Sequence, residues 1–290
     1  MKCADKPGWF AKAMAVRPEI GSVSIEGARI EWAAWGERGR PGLLLLGGNG
    51  AHIGWWRPIA PMLARDFRVA TLSWSGMGGS QWRDLYSVDL FMAEALAVAE
   101  VAGLFDAPCG PLVAAHSFGG FTALTLAVRH GPLLRGAMLI DTRLLPRTTW
   151  GDAALPAQPF RIYETREEAI RNFRLRPPQP ERNRFLLDAL AAESVIAVEG
   201  GWTWRADPAM QNKTPITEDF ANMVGQATCP LMFVRGELSE TLTDEIWDGH
   251  RRNAPPGTPF VDIPDSHHHV MIDQPIATVA VMRTLFGQLA

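Results

Sequence analysis

Short apolar runs of strand length recur along the chain, separated by stretches whose apolar residues fall at helical spacing. Between Ser22 and Trp35, Ile25, Ile30 and Trp32 alternate with polar residues around Glu26-Gly27, which predicts an opening β-hairpin. Leu43-Leu44-Leu45-Leu46 is apolar at every position, as a strand buried on both faces requires. Comparable runs lie at 68–72, 111–115, 137–140, 230–234 and 259–263. The segments between them read as helices: Trp55–Ala64, a long helix from Ser87, an Ala- and Leu-rich helix after Gly119, and a closing helix from about Gln274 to Leu289. On the long helix, Leu90, Ala93, Ala97, Val101 and Leu104 mark the expected buried face. Regular strand–helix alternation predicts an α/β fold with a doubly wound, mostly parallel sheet. Such a sheet binds ligands at the carboxyl ends of its strands, where Asn49, Ser75, Ser117 and Asp141 fall.

The alternation stops between about Arg143 and Asn222, where prolines, helical patches and the segment Gly200-Gly201-Trp202-Thr203-Trp204 intervene. Three parts are expected: a first core segment at 1–142, a mainly helical cap at 143–225 and a second core segment at 226–290. An insertion entering after the 137–141 strand has to lie over the strand ends.

Composition narrows the class without naming a reaction. The chain has 290 residues, 47% hydrophobic and 20% charged, enough apolar material for a large core. A net charge of -3 gives no basis for nucleic-acid binding. Three scattered cysteines form neither a disulfide framework nor a metal pattern. Lys2, Lys6, Lys12 and Arg17 interrupt any apolar leader, and no run approaches the ~20 apolar residues of a membrane span. The expectation is a cytoplasmic protein that acts on a small molecule, with no cofactor and no nucleic-acid or membrane partner.

The chemistry centres on Ala115-His116-Ser117-Phe118-Gly119-Gly120, between a strand and a helix. A serine in a tight strand-to-helix turn projects its hydroxyl, and its neighbours two positions away must be small because the two backbones nearly touch. That is the nucleophile elbow, here with Ala115 in place of the first glycine. A serine hydroxyl is a weak nucleophile and needs a histidine base oriented by a carboxylate. Acidic residues follow the 230–234 strand and His267-His268-His269 follows the 259–263 strand, in the chain order serine, acid, histidine. Serving merely as a helix cap is the plainer role for Ser117.

Together these stretches resemble the α/β-hydrolase family, in particular its cap-bearing branch of esterases, C–C bond hydrolases and epoxide-hydrolase-like proteins. The resemblance rests on the oxyanion-loop segment Leu43–Trp56, the Leu72–Ser80 turn, the elbow, and Ile263–Pro275 around the histidines. It implies Ser117 as nucleophile and His268, with His267 second, as base. It implies Glu240 as acid, ahead of Glu237, with Asp141 as the rival one strand earlier. The backbone amides of Asn49 and Phe118 would form the oxyanion hole. The chain departs from the family pattern at Gly47, where a histidine is usual, and at Ser73, where an aspartate is usual.

The implied reaction is ester hydrolysis through an acyl-enzyme. Thioester, lactone or C–C cleavage and perhydrolysis use the same groups, and a non-catalytic ligand-binding protein on this scaffold is the alternative of another class. His52 and His116 are expected to flank the site. Trp55, Trp56, Trp202 and Trp204 are candidates for an apolar substrate pocket, with packing between cap and core as the plainer role. No metal site is expected, because three consecutive loop histidines cannot converge on one ion.

Overall fold

The computed structural model describes residues 6–146, 161–215 and 217–289. Eight strands form one sheet: β1 (Glu19–Ile25), β2 (Ala28–Trp35), β3 (Gly42–Leu46), β4 (Arg68–Leu72), β5 (Leu112–His116), β6 (Gly136–Ile140), β9 (Leu231–Gly236) and β10 (Phe260–Ile263). Their order is β1-β2-β4-β3-β5-β6-β9-β10. β2 pairs antiparallel with both β1 and β4, and every other pair is parallel. The hairpin turn places Glu26 and Gly27 at φ 43° and 79°, left-handed values that Gly27 adopts freely and Glu26 at some cost.

The two-sided burial expected of the Leu43–Leu46 run is literal. Leu44 and Leu46 join the core that contains the helices Val88–Val101 and Gly119–Arg129, whereas Leu43 and Leu45 join the one that contains the closing helix Pro275–Gly287. Successive side chains on a strand face opposite ways, so a run apolar at every position is needed to line both cores.

Two helical expectations change. The Trp55–Ala64 segment is a 3-10 turn at Ile53–Trp55 and one helical turn at Ala60–Leu63. Pro58 and Pro61 remove amide donors that a continuous helix there would need. On the helix Val88–Val101 the buried face is Val88, Phe91, Glu94, Ala95, Val98 and Ala99, while Val101 is exposed. The buried face therefore carries a carboxylate, Glu94, which accepts the Ser75 amide hydrogen at 3.0 Å and pairs with Arg83. Burial pushes the Glu94 pKa up, against the pull of those partners.

Between β6 and β9, residues 161–215 add helices Arg166–Arg171 and Arg184–Glu193 and a hairpin of β7 (Val195–Val198) and β8 (Gly201–Trp204). The insertion expected as a mainly helical cap thus carries a β-hairpin; its residues 147–160 and 216 lie outside the described residues. It grips several loops at the carboxyl edge of the sheet. Ser194 meets His52, Asp207 meets Tyr86, Arg182 meets Asp265, and Asn183 donates to the carbonyls of Ile272 and Asp273. Among the described residues, no helix is long and apolar enough to cross a membrane.

Candidate active site

Ser117 directly follows β5 and stands at φ 52°, a left-handed conformation that a non-glycine residue adopts at a cost. The close approach that imposes it is measurable. A side chain at Gly119 would begin 2.7 Å from the carbonyl oxygen of Gly47, and one at Gly120 would run into Thr142. Ala115, buried in β5 between Leu46 and Leu139, shows that the first small position tolerates a methyl group.

The Ser117 Oγ lies 3.0 Å from Nε2 of His268, and Nδ1 of His268 lies 2.7 Å from Oδ1 of Asp141. A carboxylate only accepts, so Nδ1 carries the hydrogen and Nε2 presents its lone pair to the serine hydroxyl. His268 is therefore the histidine that reaches Ser117. His267 turns away and pairs through both its backbone amide and Nδ1 with Asp273.

The carboxylate beside His268 is that of Asp141 and not, as expected, that of Glu240. Glu240 is exposed on the loop after β9, and the neighbouring Glu237 accepts the Asp265 amide hydrogen. Asp141 is fully buried one residue beyond β6, at φ 47°. Its Oδ2 accepts the Gly236 amide hydrogen at 2.9 Å and its Oδ1 also accepts the Ser239 hydroxyl at 2.7 Å. β6 and β9 are paired neighbours, Ile140 opposite Val234, so the ends of both strands converge here. The β9 loop contributes Gly236 and Ser239 to hold the carboxylate instead of contributing the carboxylate itself.

The Gly48–Asn49 turn lies against the serine: a side chain at Gly48 would begin 3.3 Å from Ser117 Cβ and 3.1 Å from His116 Nδ1. Phe118 opens the helix after Ser117, where backbone amides have no intrahelical acceptor. Both departures from the family pattern have a local counterpart. The hydroxyl of Ser73 donates to Glu31 of β2 at 2.8 Å, and the same Glu31 oxygen accepts the Gly79 amide hydrogen. Ser73 Oγ in turn accepts the Ile53 amide hydrogen, tying that turn to the Gly48–Ile53 loop. Gly47 has no room for a side chain, since its first atom would stand 2.8 Å from Ala51 Cβ, and Trp74 donates its indole hydrogen to the Gly47 carbonyl.

The flanking histidines are neutral. His52 accepts the Gly54 amide hydrogen at Nδ1 and bonds Ser194 through Nε2, and burial, then the charge of Arg205, push it down to about 3. His116 bonds the His268 carbonyl through Nε2 at 2.9 Å; burial and the neighbouring histidines hold it well below 6.5.

The four tryptophans divide. Trp55 stands 5.4 Å from the His269 ring, at the edge of the site. Trp56 is buried in the core with Leu63 and the closing helix. Trp202 and Trp204, expected at the substrate pocket, instead pack with Tyr163, Ala169 and Val195, and the Trp204 indole donates to the Ala169 carbonyl. Two residues apart on β8 they share one face of the hairpin, and that face covers the helix Arg166–Arg171.

Residues 43–281 match the family described as the alpha/beta hydrolase family. Among curated proteins, the 2-heptyl-3-hydroxy-4-quinolone dioxygenase of Rhodococcus erythropolis is 34% identical over 110 residues, 36% of this chain and 38% of that protein's length. Among solved structures, an E-2-(acetamidomethylene)succinate hydrolase superposes with TM-score 0.80 and 19% identity, covering 93% of this chain and 100% of that one. A Mycobacterium tuberculosis esterase gives 0.76 and 21%, covering 96% of each. The thioesterase domain of the curacin biosynthetic pathway gives 0.76 and 20%, covering 92% and 99%. With a match that runs from β3 into the closing helix, the chain belongs to the alpha/beta hydrolase family.

Proposed function

We propose that this protein is a serine hydrolase that cleaves a carboxylic ester, or a related acyl bond, of a small apolar substrate. The observation that carries the reading is the relay Ser117–His268–Asp141, at 3.0 and 2.7 Å. Ser117 Oγ attacks the carbonyl carbon while its proton passes to Nε2 of His268. Asp141 holds the other ring hydrogen and stabilises the imidazolium that forms. The Asn49 and Phe118 amides receive the oxyanion of the tetrahedral intermediate. His268 then protonates the leaving alcohol, and the acyl-enzyme is resolved by a water that His268 deprotonates. Stopped-flow hydrolysis of p-nitrophenyl esters of graded chain length tests this. The expected result is a burst of one nitrophenolate per chain followed by slower turnover; turnover unchanged in Ser117→Ala would reject it.

A second reading draws on the Rhodococcus erythropolis relative, which is named for dioxygenation of a 3-hydroxy-4-quinolone. There His268 would take the proton of a ring hydroxyl, giving an oxyanion whose charge is shared with the adjacent ring carbon, and that carbon would bond to molecular oxygen, with no acyl-enzyme. Oxygen uptake in the presence of a 3-hydroxy-4-quinolone separates the two. Uptake without ester turnover would favour the dioxygenase, and the converse favours the hydrolase.

A further inference from the structure

His116 ends β5 and His268 and His269 lie in the loop after β10, yet one ring nitrogen of each lies within 4.8 Å of the others. Their ring centroids are 4.7, 4.9 and 5.4 Å apart, and all three side chains are buried. The run His267-His268-His269 does not converge, because His267 faces Asp273. The third ring comes from the residue before Ser117.

His116 and His268 each commit one ring nitrogen to a backbone or carboxylate oxygen, which leaves the other nitrogen as a possible ligand. His116 uses Nε2 on the His268 carbonyl, and its Nδ1 is buried without a partner. His268 uses Nδ1 on Asp141, leaving Nε2, whose present partner is the Ser117 hydroxyl. His269 is buried, and among the described residues neither of its ring nitrogens has a hydrogen-bond partner. A ring whose outer N–H is given to a carbonyl or carboxylate is how proteins prepare an imidazole to ligate a metal.

We propose that His116, His268 and His269 bind a divalent ion of the Zn2+, Cu2+ or Ni2+ type, and that the bound ion reversibly inhibits the enzyme. Imidazole donors without thiolate or carboxylate suit these ions and not Mg2+ or Ca2+. A tetrahedral zinc with nitrogens at about 2.0–2.1 Å holds them roughly 3.4 Å apart, so the rings close inward by about an ångström, within reach of side-chain rotation. The ion enters past Ser117, which is only partly buried. Occupying Nε2 of His268 removes the acceptor for the Ser117 proton, while Ser117 Oγ or a water completes the coordination. Binding rests on the histidine geometry alone; inhibition rests also on the proposed hydrolase reaction.

Calorimetric titration of the intact protein with ZnCl2 tests the binding without any turnover. The expected result is one ion per chain, with affinity at least about tenfold weaker in His116→Asn and in His269→Asn. Cu2+-loaded wild-type protein should show superhyperfine splitting from imidazole nitrogens by electron paramagnetic resonance, a readout that does not depend on the variants folding. Zn2+ should also slow ester turnover, reversed by a chelator. No Zn2+ binding at millimolar concentration, equal affinity in both variants, or copper without imidazole splitting would overturn the site. Binding with full activity retained would overturn the inhibition, and failure of ester turnover with Zn2+ still bound would count against the hydrolase reading alone.

Discussion

Asp141 holds the ring of His268 at 2.7 Å from the end of β6, while Glu240 of the β9 loop is exposed. The Asp141 carboxylate is fully buried and takes two further hydrogen bonds, from Gly236 and Ser239. A buried carboxylate without such donors would be costly to keep ionised.

Asp141→Asn should lower kcat by about 10⁴, because an amide supports the wrong histidine tautomer while preserving shape. Glu240→Gln should leave kcat within about twofold, as expected for a surface residue away from the chemistry. Steady-state kinetics of the two variants on one ester checks the pair, and the reverse ranking would return the acid role to the β9 loop.

Glu31 accepts two hydrogen bonds in the turn after β4, from the Ser73 hydroxyl and the Gly79 amide. Glu31→Ala should destabilise the protein by about 1–3 kcal/mol, since it strips the Ser73 hydroxyl and the Gly79 amide of their acceptor. Ser73→Asp alone should also destabilise, by setting two carboxylates together, and the double variant Ser73→Asp/Glu31→Ala should recover most of the loss. Urea unfolding of the four proteins checks this; additive losses would mean that the two sites do not share one function.

Trp204→Ala should cost about 2–3 kcal/mol of stability through lost packing on Tyr163 and Ala169. Its kcat/KM for acetate and for long-chain esters should fall by the same factor, because the ring does not face Ser117. A selective loss on long chains would bring β8 back to the pocket.

Buried neutral histidines make stability depend on pH. His52 and His269 are pushed down to about 3 and His250 to about 4, mainly by burial, whereas the unfolded chain titrates near 6.5. Below 6.5 the unfolded state binds protons that the folded state refuses, so the folded state loses stability as pH falls. The contribution is complete above about 6.5 and is lost towards 3–4, at up to about 1.4 kcal/mol per pH unit for each histidine. Urea midpoints measured from pH 7.5 to 5 should fall monotonically, with a shallower slope in His250→Gln. A flat profile would contradict the assignment.

Much of this was legible in the residues. The strand runs and the elbow needed only pattern and spacing, because backbone pairing and close approach restrict which residue types fit; the choice of His268 among three histidines came from the family resemblance. The acid was not legible: β6 and β9 end side by side, so a carboxylate from either loop can reach the histidine, and only the path of the chain decides. Glu94 hid the buried face of its helix, since a carboxylate satisfied by Ser75 and Arg83 looks like a surface residue in sequence. Trp202 and Trp204 read as pocket residues because nothing in the sequence revealed the hairpin that turns them onto Ala169. The clustering of His116 with His268 and His269 was equally hidden, since it joins positions over 150 residues apart through a carbonyl hydrogen bond.

The central claim is that His268 activates Ser117 as a nucleophile, and a fluorophosphonate probe tests it most directly. Intact-protein and peptide mass spectrometry should find one adduct per chain, on Ser117, absent from Ser117→Ala and slowed by about 10³ or more in His268→Ala. An adduct on another residue, or labelling at an undiminished rate in His268→Ala, would contradict it.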